Sequence, residues 1–338
     1  MNKRFVMKAL VAAVAASAFG IASAQISERT VKFATQNPTG HPLVTGMEKF
    51  QEIIKAKTND KIKVTLYPGG VLGGDAQNVS ALQGGTLDMV VLNSGILGSQ
   101  VKEFTVYDFP FMFTNFKEAD AVIDGPFGKM MLEKLDAKNI HGLAYYELGF
   151  RQVTNSKRPI TKVEDFAGLK LRVIPNAINV DWVQALGANP TPMAFGEVYG
   201  ALEQKAIDGQ ENPFSVIQIN KFYEVQKYLT VTNHQYNPQT VIISKKLWDS
   251  LSAEEKKIFN DAAKESAVYQ RKVARESSDK YLDMLKKAGM QVSTLTPEEL
   301  AKFRNKMTPV IAKNSVTVGQ ETITALQEAL NKVRLSGK

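Results

Sequence analysis

The spacing of apolar residues changes twice near the start of the chain. Apolar and polar residues alternate over residues 31–33 and again over 62–66, which is typical of half-buried strands. Between these stretches, apolar residues recur at the spacing of one helix face, at Leu43, Met47, Phe50 and Ile54. A Pro-Gly-Gly turn signal follows at residues 68–70. The order strand, helix, strand predicts an α/β fold in which the strands pair largely in parallel.

A weak internal repeat points to two related halves. Residues 81–88 (ALQGGTLD) resemble residues 201–208 (ALEQKAID), and each stretch has the pattern of a helix end, a turn and a strand start. An asparagine follows each stretch at a similar distance, Asn93 in the first and Asn212 in the second. Unless the match is a coincidence of short motifs, each of two lobes presents an asparagine at the carboxyl end of a strand. In open α/β sheets, ligands bind at that edge.

The last third of the chain is predicted to be helical. Ser252 with Glu255 forms one capping box, and Thr296 with Glu299 forms another. Between them, residues 253–288 contain no Gly or Pro. This pattern predicts either one helix of unusual length that bridges both lobes or two ordinary helices with a break between them.

Composition narrows the class of protein. With 338 residues, 44% hydrophobic and 22% charged, the chain has the composition of a soluble globular protein, and its length favours two lobes over one core. It has no cysteine and only three histidines, so thiolate metal sites are excluded and a histidine-rich zinc site has few ligands. We expect no cofactor and no metal.

Residues 1–24 resemble a secretory signal peptide. Lys3, Arg4 and Lys8 precede an apolar stretch of small residues, which ends in an Ala-x-Ala cleavage pattern at residues 22–24. A membrane anchor is the alternative interpretation, but the apolar stretch is short for a span. The formal charge is +8, yet basic and acidic residues are interspersed, and no basic stripe with aromatic residues indicates nucleic-acid binding.

Motifs of common catalytic sites are absent. The sequence contains no HExxH, no G-x-S-x-G and no G-x-x-x-x-G-K-[ST], and the glycines at residues 125–128 fit a turn. An enzyme would need a positioned base, and only Asp181 is a weak candidate, so we predict no enzyme. Arg172 lies between apolar Leu171 and Val173 near a strand end. It is either an exposed arginine on an edge strand or a guanidinium that faces a cleft and binds a carboxylate through two hydrogen bonds.

Four sequence motifs, which follow one another along the chain, favour the interpretation of Arg172 as a carboxylate-binding residue of a cleft. They are GLKLRV at residues 168–173, GANPTPMAF at 187–195, EVY at 197–199 and DGQENP at 208–213. Together they resemble the DctP-type substrate-binding proteins of tripartite ATP-independent periplasmic (TRAP) transporters. The resemblance covers nearly the whole chain after the signal peptide, from about residue 31 to about residue 330.

The resemblance implies a two-lobed periplasmic binding protein fold of the α/β class, with a ligand cleft between the lobes and a long helix that spans both. The lobes are predicted as residues 25–148 plus 238–278 and residues 149–237 plus 279–338. A protein of this family captures an organic acid in the periplasm of a Gram-negative bacterium and delivers it to the TRAP membrane subunits. We expect it to act as a monomer.

The resemblance also assigns roles to residues that match the family's motifs. It implies that Arg172 pairs with the ligand carboxylate and that Arg151 is a second contact or a support for this clamp. Asn212 and Phe195 match an asparagine of the site and an aromatic residue that packs on the ligand body.

The remaining candidates for the cleft are mostly neutral and polar. They are Gln36, Asn37, His41, Asn93, Ser94, Asn176, Asn179 and Asp181. Amides pair well with hydroxyl groups because each offers a donor and an acceptor, and no further strong cation is evident for a second carboxylate. We therefore predict a polyhydroxylated monoacid such as a hexuronate or an aldonate. A C4-dicarboxylate, a small keto or aromatic acid, and a role in a sensor remain alternatives. For single residues such as His41, a role in a turn or a helix cap is the competing interpretation.

Overall fold

The computed structural model describes residues 26–336, so the predicted signal peptide at residues 1–24 lies outside the described residues. The strands are β1 (Arg29–Ala34), β2 (Ile62–Tyr67), β3 (Met89–Asn93), β4 (Ile140–Phe150), β5 (Gln152–Asn155), β6 (Lys170–Val173), β7 (Asn189–Pro192), β8 (Gly209–Asn212), β9 (Tyr228–Val231), β10 (Tyr236–Ser244) and β11 (Gln291–Thr294). The helices are α1 (Pro42–Lys57), α2 (Asp75–Gln83), α3 (Phe116–Ile123), α4 (Pro126–Glu133), α5 (Ala177–Ala185), α6 (Val198–Glu203), α7 (Phe214–Ile219), α8 (Lys245–Ser250), α9 (Ala253–Lys287), α10 (Pro297–Val318) and α11 (Gln320–Ser336). Short 3-10 helices lie at Ser94–Ser99, Lys102–Asp108, Asp136–Lys138, Val163–Phe166, Phe195–Glu197 and Phe222–Glu224.

The first lobe is built on a sheet with the strand order β2-β1-β3-β10-β4. The alternation at residues 31–33 is confirmed, because Val31 and Phe33 are buried in β1 while Lys32 is exposed. All residues of β3 are buried, as expected for a strand inside a sheet covered by helices.

The second lobe is built on a sheet with the strand order β11-β9-β5-β8-β6-β7. The fold is therefore a two-lobed α/β fold, as predicted. Pairing is more mixed than expected: β1 is parallel to β2 and β3, but β10 is antiparallel to both β3 and β4. In the second sheet, β5 is antiparallel to β8 and β9. The reason is that β5 and β10 enter their sheets directly from a strand of the other lobe rather than through a helical crossover.

The chain passes between the sheets at two strand connections. Strand β4 of the first sheet leads through Arg151 into β5 of the second, and β9 of the second leads into β10 of the first. Gly149, close to the first connection, has a φ of +114°, a conformation that side-chain-bearing residues rarely adopt. These connections place the ends of strands from both sheets around one cleft.

A single long helix, α9, links the lobes. It runs without a break from Ala253 to Lys287 and packs on α1 and β4 of the first lobe and on α7 of the second. Its Ser252–Glu255 capping box is present, with the Glu255 amide donating to Ser252 Oγ at 3.1 Å. The prediction of one long helix is thus confirmed. The last helix, α11, packs on α3 and α4, and the lobe boundaries given above stay a prediction.

The internal repeat has a structural counterpart. Asp88 accepts a hydrogen bond from the Lys32 amide of β1 at 2.8 Å, and Asp208 accepts one from the Lys170 amide of β6 at 2.9 Å. Each aspartate precedes a strand that ends in an asparagine, Asn93 in β3 and Asn212 in β8. Both lobes therefore use the same local device to set the start of a cleft-forming strand.

Among residues 26–336, no helix has the length and apolar character needed to cross a membrane. Over the same residues, no group of three His, Cys, Asp or Glu side chains is placed to hold a metal ion.

Candidate ligand-binding cleft

A cleft with an empty volume of about 440 Å³ lies where the two sheets meet. The lining comes from strand ends and adjoining turns of both lobes and comprises Thr35, Gln36, Asn37, Asp75, Val91, Leu92, Asn93, Ile96, Leu148, Arg151, Arg172, Ile174, Phe195, Asn212, Val216, Asn237 and Gln239. The side chains of this cleft are thus apolar groups, amides, two guanidinium groups and one carboxyl group.

Arg172 is the cation of the cleft that no carboxylate neutralises directly. It lies in β6 with only 3% of its surface exposed, so it is not the exposed edge-strand arginine of the competing interpretation. Its Nε and Nη2 donate to the carbonyl oxygen of Met193 at 3.1 and 2.8 Å. No carboxylate of residues 26–336 lies within 4.0 Å of its guanidinium group. The Met193 carbonyl therefore orients the guanidinium group while its charge remains free for an anion.

Burial changes the electrostatics of this guanidinium group. Desolvation lowers the pKa of Arg172 to about 10, with a smaller contribution from the charge of Arg151, while Glu211 and Asp75 act in the opposite direction. Arg172 is still charged at neutral pH. A buried, partly desolvated cation is a strong site for an anion, because charges interact more strongly where the local dielectric is low.

Arg151, at the connection between the sheets, is committed to a partner inside the protein. Its Nε and Nη2 both bind the carboxylate of Glu211, the latter at 2.8 Å, and each of the two residues is 1% exposed. The remaining nitrogen, Nη1, lies 3.4 Å from Asn237 Oδ1. Arg151 thus lines the cleft, but its charge is balanced by Glu211.

The guanidinium group of Arg151 keeps Glu211 ionised. Burial alone would raise the pKa of the Glu211 carboxyl, but the charge of Arg151 and hydrogen bonding lower it below its usual range. His234 Nε2 lies 3.5 Å from Glu211 Oε2, without the geometry of a hydrogen bond. The other ring nitrogen, His234 Nδ1, is 2.8 Å from Thr232 Oγ1. This fully buried histidine lies beside the Arg151–Glu211 ion pair and does not line the cleft.

Amide side chains form a linked network along the cleft. Asn237 Oδ1 accepts from Asn93 Nδ2 at 2.7 Å and from Gln239 Nε2 at 2.9 Å. Asn212 Nδ2 donates to Gln210 Oε1 at 2.6 Å. Each of the amide groups of Asn93, Asn212 and Gln239 therefore uses one of its two N–H donors inside the protein.

Oxygen acceptors in the cleft are less fully used. Among the described residues, no group donates to Gln239 Oε1 or Asn212 Oδ1, and the buried Asn37 Oδ1 also has no partner. Free acceptors in a cleft match a ligand that carries hydroxyl donors. The amide arrangement therefore complements the single cation of Arg172.

One carboxyl group, that of Asp75, was not among the predicted residues. It is the first residue of α2, faces the same cleft as Arg172, and has a buried Oδ1 without a hydrogen bond. Burial raises the pKa of Asp75 to about 7, although Arg172 lowers it. The ring of Phe195, half-buried at the cleft and 6.1 Å from the Phe222 ring, supplies an apolar surface from the second lobe.

The structure brings most of the predicted residues together. Those that line the cleft are Gln36, Asn37, Asn93, Arg151, Arg172, Phe195 and Asn212. Gln36 is held by a hydrogen bond from its Nε2 to the Gly73 carbonyl oxygen at 2.7 Å.

Five of the predicted residues are not part of the cleft lining. One of them is the buried Ser94, whose Oγ donates to the Pro238 carbonyl oxygen at 2.9 Å. His41 is 1% exposed and caps α1, with Nδ1 accepting from the Leu43 amide at 3.1 Å. Asp181 binds Lys313 at 2.9 Å and Asn314 at 2.8 Å, between α5 and α10. Both side chains are used to fix helices, and the role of His41 is the helix cap of the competing interpretation.

Asn176 and Asn179 also lie outside the cleft lining. Asn176 caps α5, and both residues donate from Nδ2 to the buried carboxylate of Asp108, Asn179 at 3.0 Å. Asn179 Oδ1 also accepts from Trp182 Nε1 at 3.1 Å. These amides hold Asp108 rather than line the cleft.

Sequence reasoning missed the lining residues Thr35, Asp75, Asn237 and Gln239 and the buried partner Glu211. Asp75 follows two glycines directly after a strand and a turn, which was a usable signal for a cleft edge. Glu211 is adjacent to Asn212 on a strand, so its side chain points to the opposite face. Nothing in the local sequence connects it to Arg151, which is 60 residues away.

Comparison with known proteins agrees with this geometry. The sequence model of DctP, bacterial extracellular solute-binding protein family 7, matches residues 33–316. The C4-dicarboxylate-binding periplasmic protein DctP of Rhodobacter capsulatus is 37% identical over 333 residues, which is 97% of this chain and 99% of the relative.

Two solved structures have the same fold over nearly their whole length. A TRAP periplasmic solute-binding protein from Ochrobactrum anthropi, with its C-terminus bound in the ligand-binding pocket, is 52% identical with a TM-score of 0.83, covering 92% of this chain and 97% of that one. The sugar acid binding protein of Advenella mimigardefordensis, in complex with galactonate, is 40% identical with a TM-score of 0.89, covering 91% and 99%.

Proposed function

Because this chain belongs to the DctP family, family 7 of the bacterial extracellular solute-binding proteins, we propose that it captures a sugar acid in the periplasm and delivers it to a TRAP permease. Its relatives are periplasmic solute-binding proteins of TRAP transporters, which bind small organic acids and work with a membrane permease. The general function is therefore organic-acid binding for transport.

The observation that carries the proposal is the buried guanidinium group of Arg172. It lines the cleft without a carboxylate within 4.0 Å and is oriented by the Met193 carbonyl oxygen. A ligand carboxylate that enters the cleft would accept charge-assisted hydrogen bonds from it. Closure of the lobes around this pair would exclude water and strengthen it, so the ligand would shift the protein towards the closed state.

Two features favour a sugar acid over a dicarboxylate: the unpaired oxygen acceptors of the cleft and the ion pair that already neutralises Arg151. Arg151 and Arg172 are the cations of the cleft lining, and Arg151 is neutralised by Glu211. A second ligand carboxylate would therefore lack a counter-ion, whereas hydroxyl groups could donate to Gln239, Asn212 and Asn37. The relative from Advenella mimigardefordensis, solved with galactonate, supports the same class.

A C4-dicarboxylate is the second candidate, and one observation favours it. The relative from Rhodobacter capsulatus, which covers 97% of this chain, is a C4-dicarboxylate-binding protein. Phe195 and the amides would accommodate a short dicarboxylate as well, so succinate belongs in the binding test of this protein.

The cell location and assembly follow from the same argument. We infer that residues 1–24 direct secretion into the periplasm of a Gram-negative bacterium and that the mature protein acts as a monomer. The lobes are those predicted from the sequence, with the cleft between them.

A binding panel tests the proposal. The mature protein is titrated by calorimetry with galactonate, galacturonate, succinate and benzoate, and galactose serves as the matched control because it keeps hydroxyl groups but lacks a carboxylate. We expect a sugar acid to bind most tightly and to stabilise the protein by about 2.7 kcal/mol at 100 times its Kd. Tight binding of succinate without binding of either sugar acid would overturn the sugar-acid assignment, and tight binding of galactose would overturn the clamp.

A further inference from the structure

Asp75 is a carboxyl group of the cleft that the protein leaves without a counter-ion. It lines the cleft at the first residue of α2, and no Lys or Arg side chain of residues 26–336 lies within 4.0 Å of it. Its Oδ1 is buried and accepts no hydrogen bond from the described chain. A buried polar atom without a partner is costly, so the arrangement indicates that a donor from outside the chain satisfies it.

The charged groups around Asp75 are few. Arg172 faces it across the cleft and acts on it through its charge, and Arg151, further along the lining, is neutralised by Glu211. The residues that precede Asp75 are glycines, and the neighbouring turn after β1 contributes the neutral side chains of Gln36 and Asn37. The cleft therefore has one cationic side and one acidic side.

This polarity restricts which acids fit. On the basis of the proposed function, we propose that Asp75 makes the cleft select monocarboxylates that carry hydroxyl groups and reject dicarboxylates. A ligand held by its carboxylate at Arg172 presents the rest of its chain to Asp75. A hydroxyl group there donates to the free Oδ1, whereas a second carboxylate meets a like charge in a site with low dielectric.

The rejection depends on pH in a defined direction. Burial raises the pKa of Asp75 to about 7, although the charge of Arg172 and the N-terminus of α2 favour the ionised form. Above neutral pH the group is ionised and repels a second carboxylate. Below neutral pH it is protonated and donates a hydrogen bond instead, so binding of a dicarboxylate strengthens as the pH falls.

The test compares galactonate and succinate on three proteins. Wild type, Asp75→Asn and the control Asp181→Asn, which lies outside the cleft, are titrated at about pH 8 and about pH 6. In Asp75→Asn at the higher pH, we expect the preference for galactonate over succinate to fall by about tenfold or more, corresponding to removal of one like-charge contact. In wild type, succinate affinity should rise by a similar factor at the lower pH, and this rise should be smaller in Asp75→Asn.

The outcomes separate this inference from the proposed function. If wild type binds galactonate and the preference is the same in Asp75→Asn and Asp181→Asn, Asp75 does not select the ligand and the inference is wrong. Tight binding of succinate by wild type at about pH 8 beside tight binding of galactonate would also overturn it. If wild type binds neither sugar acid, the proposed function itself fails. A single cooperative unfolding transition in each of the three ligand-free proteins confirms that both variants are folded.

Discussion

Arg151 and Glu211 form a doubly hydrogen-bonded ion pair in which each side chain is 1% exposed. The pair joins the segment that connects the two sheets to strand β8, which ends at the cleft. Arg151 is therefore part of the buried structure that supports the cleft. Of the two arginines in the cleft lining, Arg172 is then the one without a carboxylate partner among the described residues.

Removing one partner of this pair should destabilise the protein strongly. Glu211→Gln leaves the charge of Arg151 buried without a counter-ion, and breaking a buried pair in this way costs about 3 kcal/mol or more. We expect this loss in the free energy of unfolding measured with urea at neutral pH.

The matched control for this prediction is Glu224→Gln. Glu224 is exposed and accepts a hydrogen bond from the Tyr199 hydroxyl at 2.8 Å. Because this interaction is exposed to solvent, its loss should reduce the free energy of unfolding far less than the loss of the buried ion pair. Equal losses in the two variants would show that the Arg151–Glu211 pair does not stabilise the buried frame.

The elements set by local sequence were predictable. Strands β1 and β2 and helix α1 follow from the spacing of apolar residues, and α9 follows from its capping box and from the absence of Gly and Pro. The antiparallel return of β10 was not predictable. Strand order depends on which distant segments meet. Every residue of β10 is buried, so its sequence does not indicate which strands lie beside it or in which direction they run.

The site was predictable where a residue belongs to a motif. Arg172 and Asn212 lie in the cleft as the resemblance implied, although their contact with the ligand stays a prediction. Predictions were least reliable for polar residues next to turns. The side chains of His41 and Asn176 accept hydrogen bonds from backbone amides at helix starts, a role for which they are as well suited as for binding a ligand. Only tertiary packing decides between these roles.

The buried cap His41 should make stability depend on pH. Burial lowers the pKa of His41 to about 3 from 6.5, so the unfolded chain binds a proton below pH 6.5 that the folded protein does not. The contribution of His41 is therefore complete above that pH and is lost as the pH falls, by about 2 kcal/mol near pH 5 at about 1.4 kcal/mol per pH unit.

The variant His41→Asn tests this point, because asparagine is a good cap without a titrating ring. Urea unfolding at about pH 7.5 and about pH 5 should show wild type losing about 2 kcal/mol relative to the variant at the lower pH. A stability difference that does not change with pH would contradict the assignment.

Phe195 should contribute to affinity more than to folding. Its ring is half-buried and faces the cleft, where it would cover the apolar face of a bound acid. Phe195→Ala should weaken galactonate binding by about 1–2 kcal/mol through loss of buried apolar area, measured by calorimetry. Phe195→Leu keeps most of this area and should lose less. A fall in melting temperature without a change in affinity would assign the ring to packing alone.

Replacement of Arg172 by lysine tests the contact on which the function depends. Lysine keeps the positive charge but loses the planar fork, and it would also lose the two hydrogen bonds to the Met193 carbonyl oxygen that orient the group. We expect Arg172→Lys to weaken binding of the cognate acid by at least about 1.5 kcal/mol, the contribution typical of hydrogen bonds to charged groups. The control is Arg158→Lys, because Arg158 is exposed and its Nε donates to the Asp165 carbonyl oxygen at 3.0 Å, outside the cleft. Calorimetry on both variants decides the question: unchanged affinity in Arg172→Lys, or an equal loss in the control, would remove this guanidinium group from the clamp.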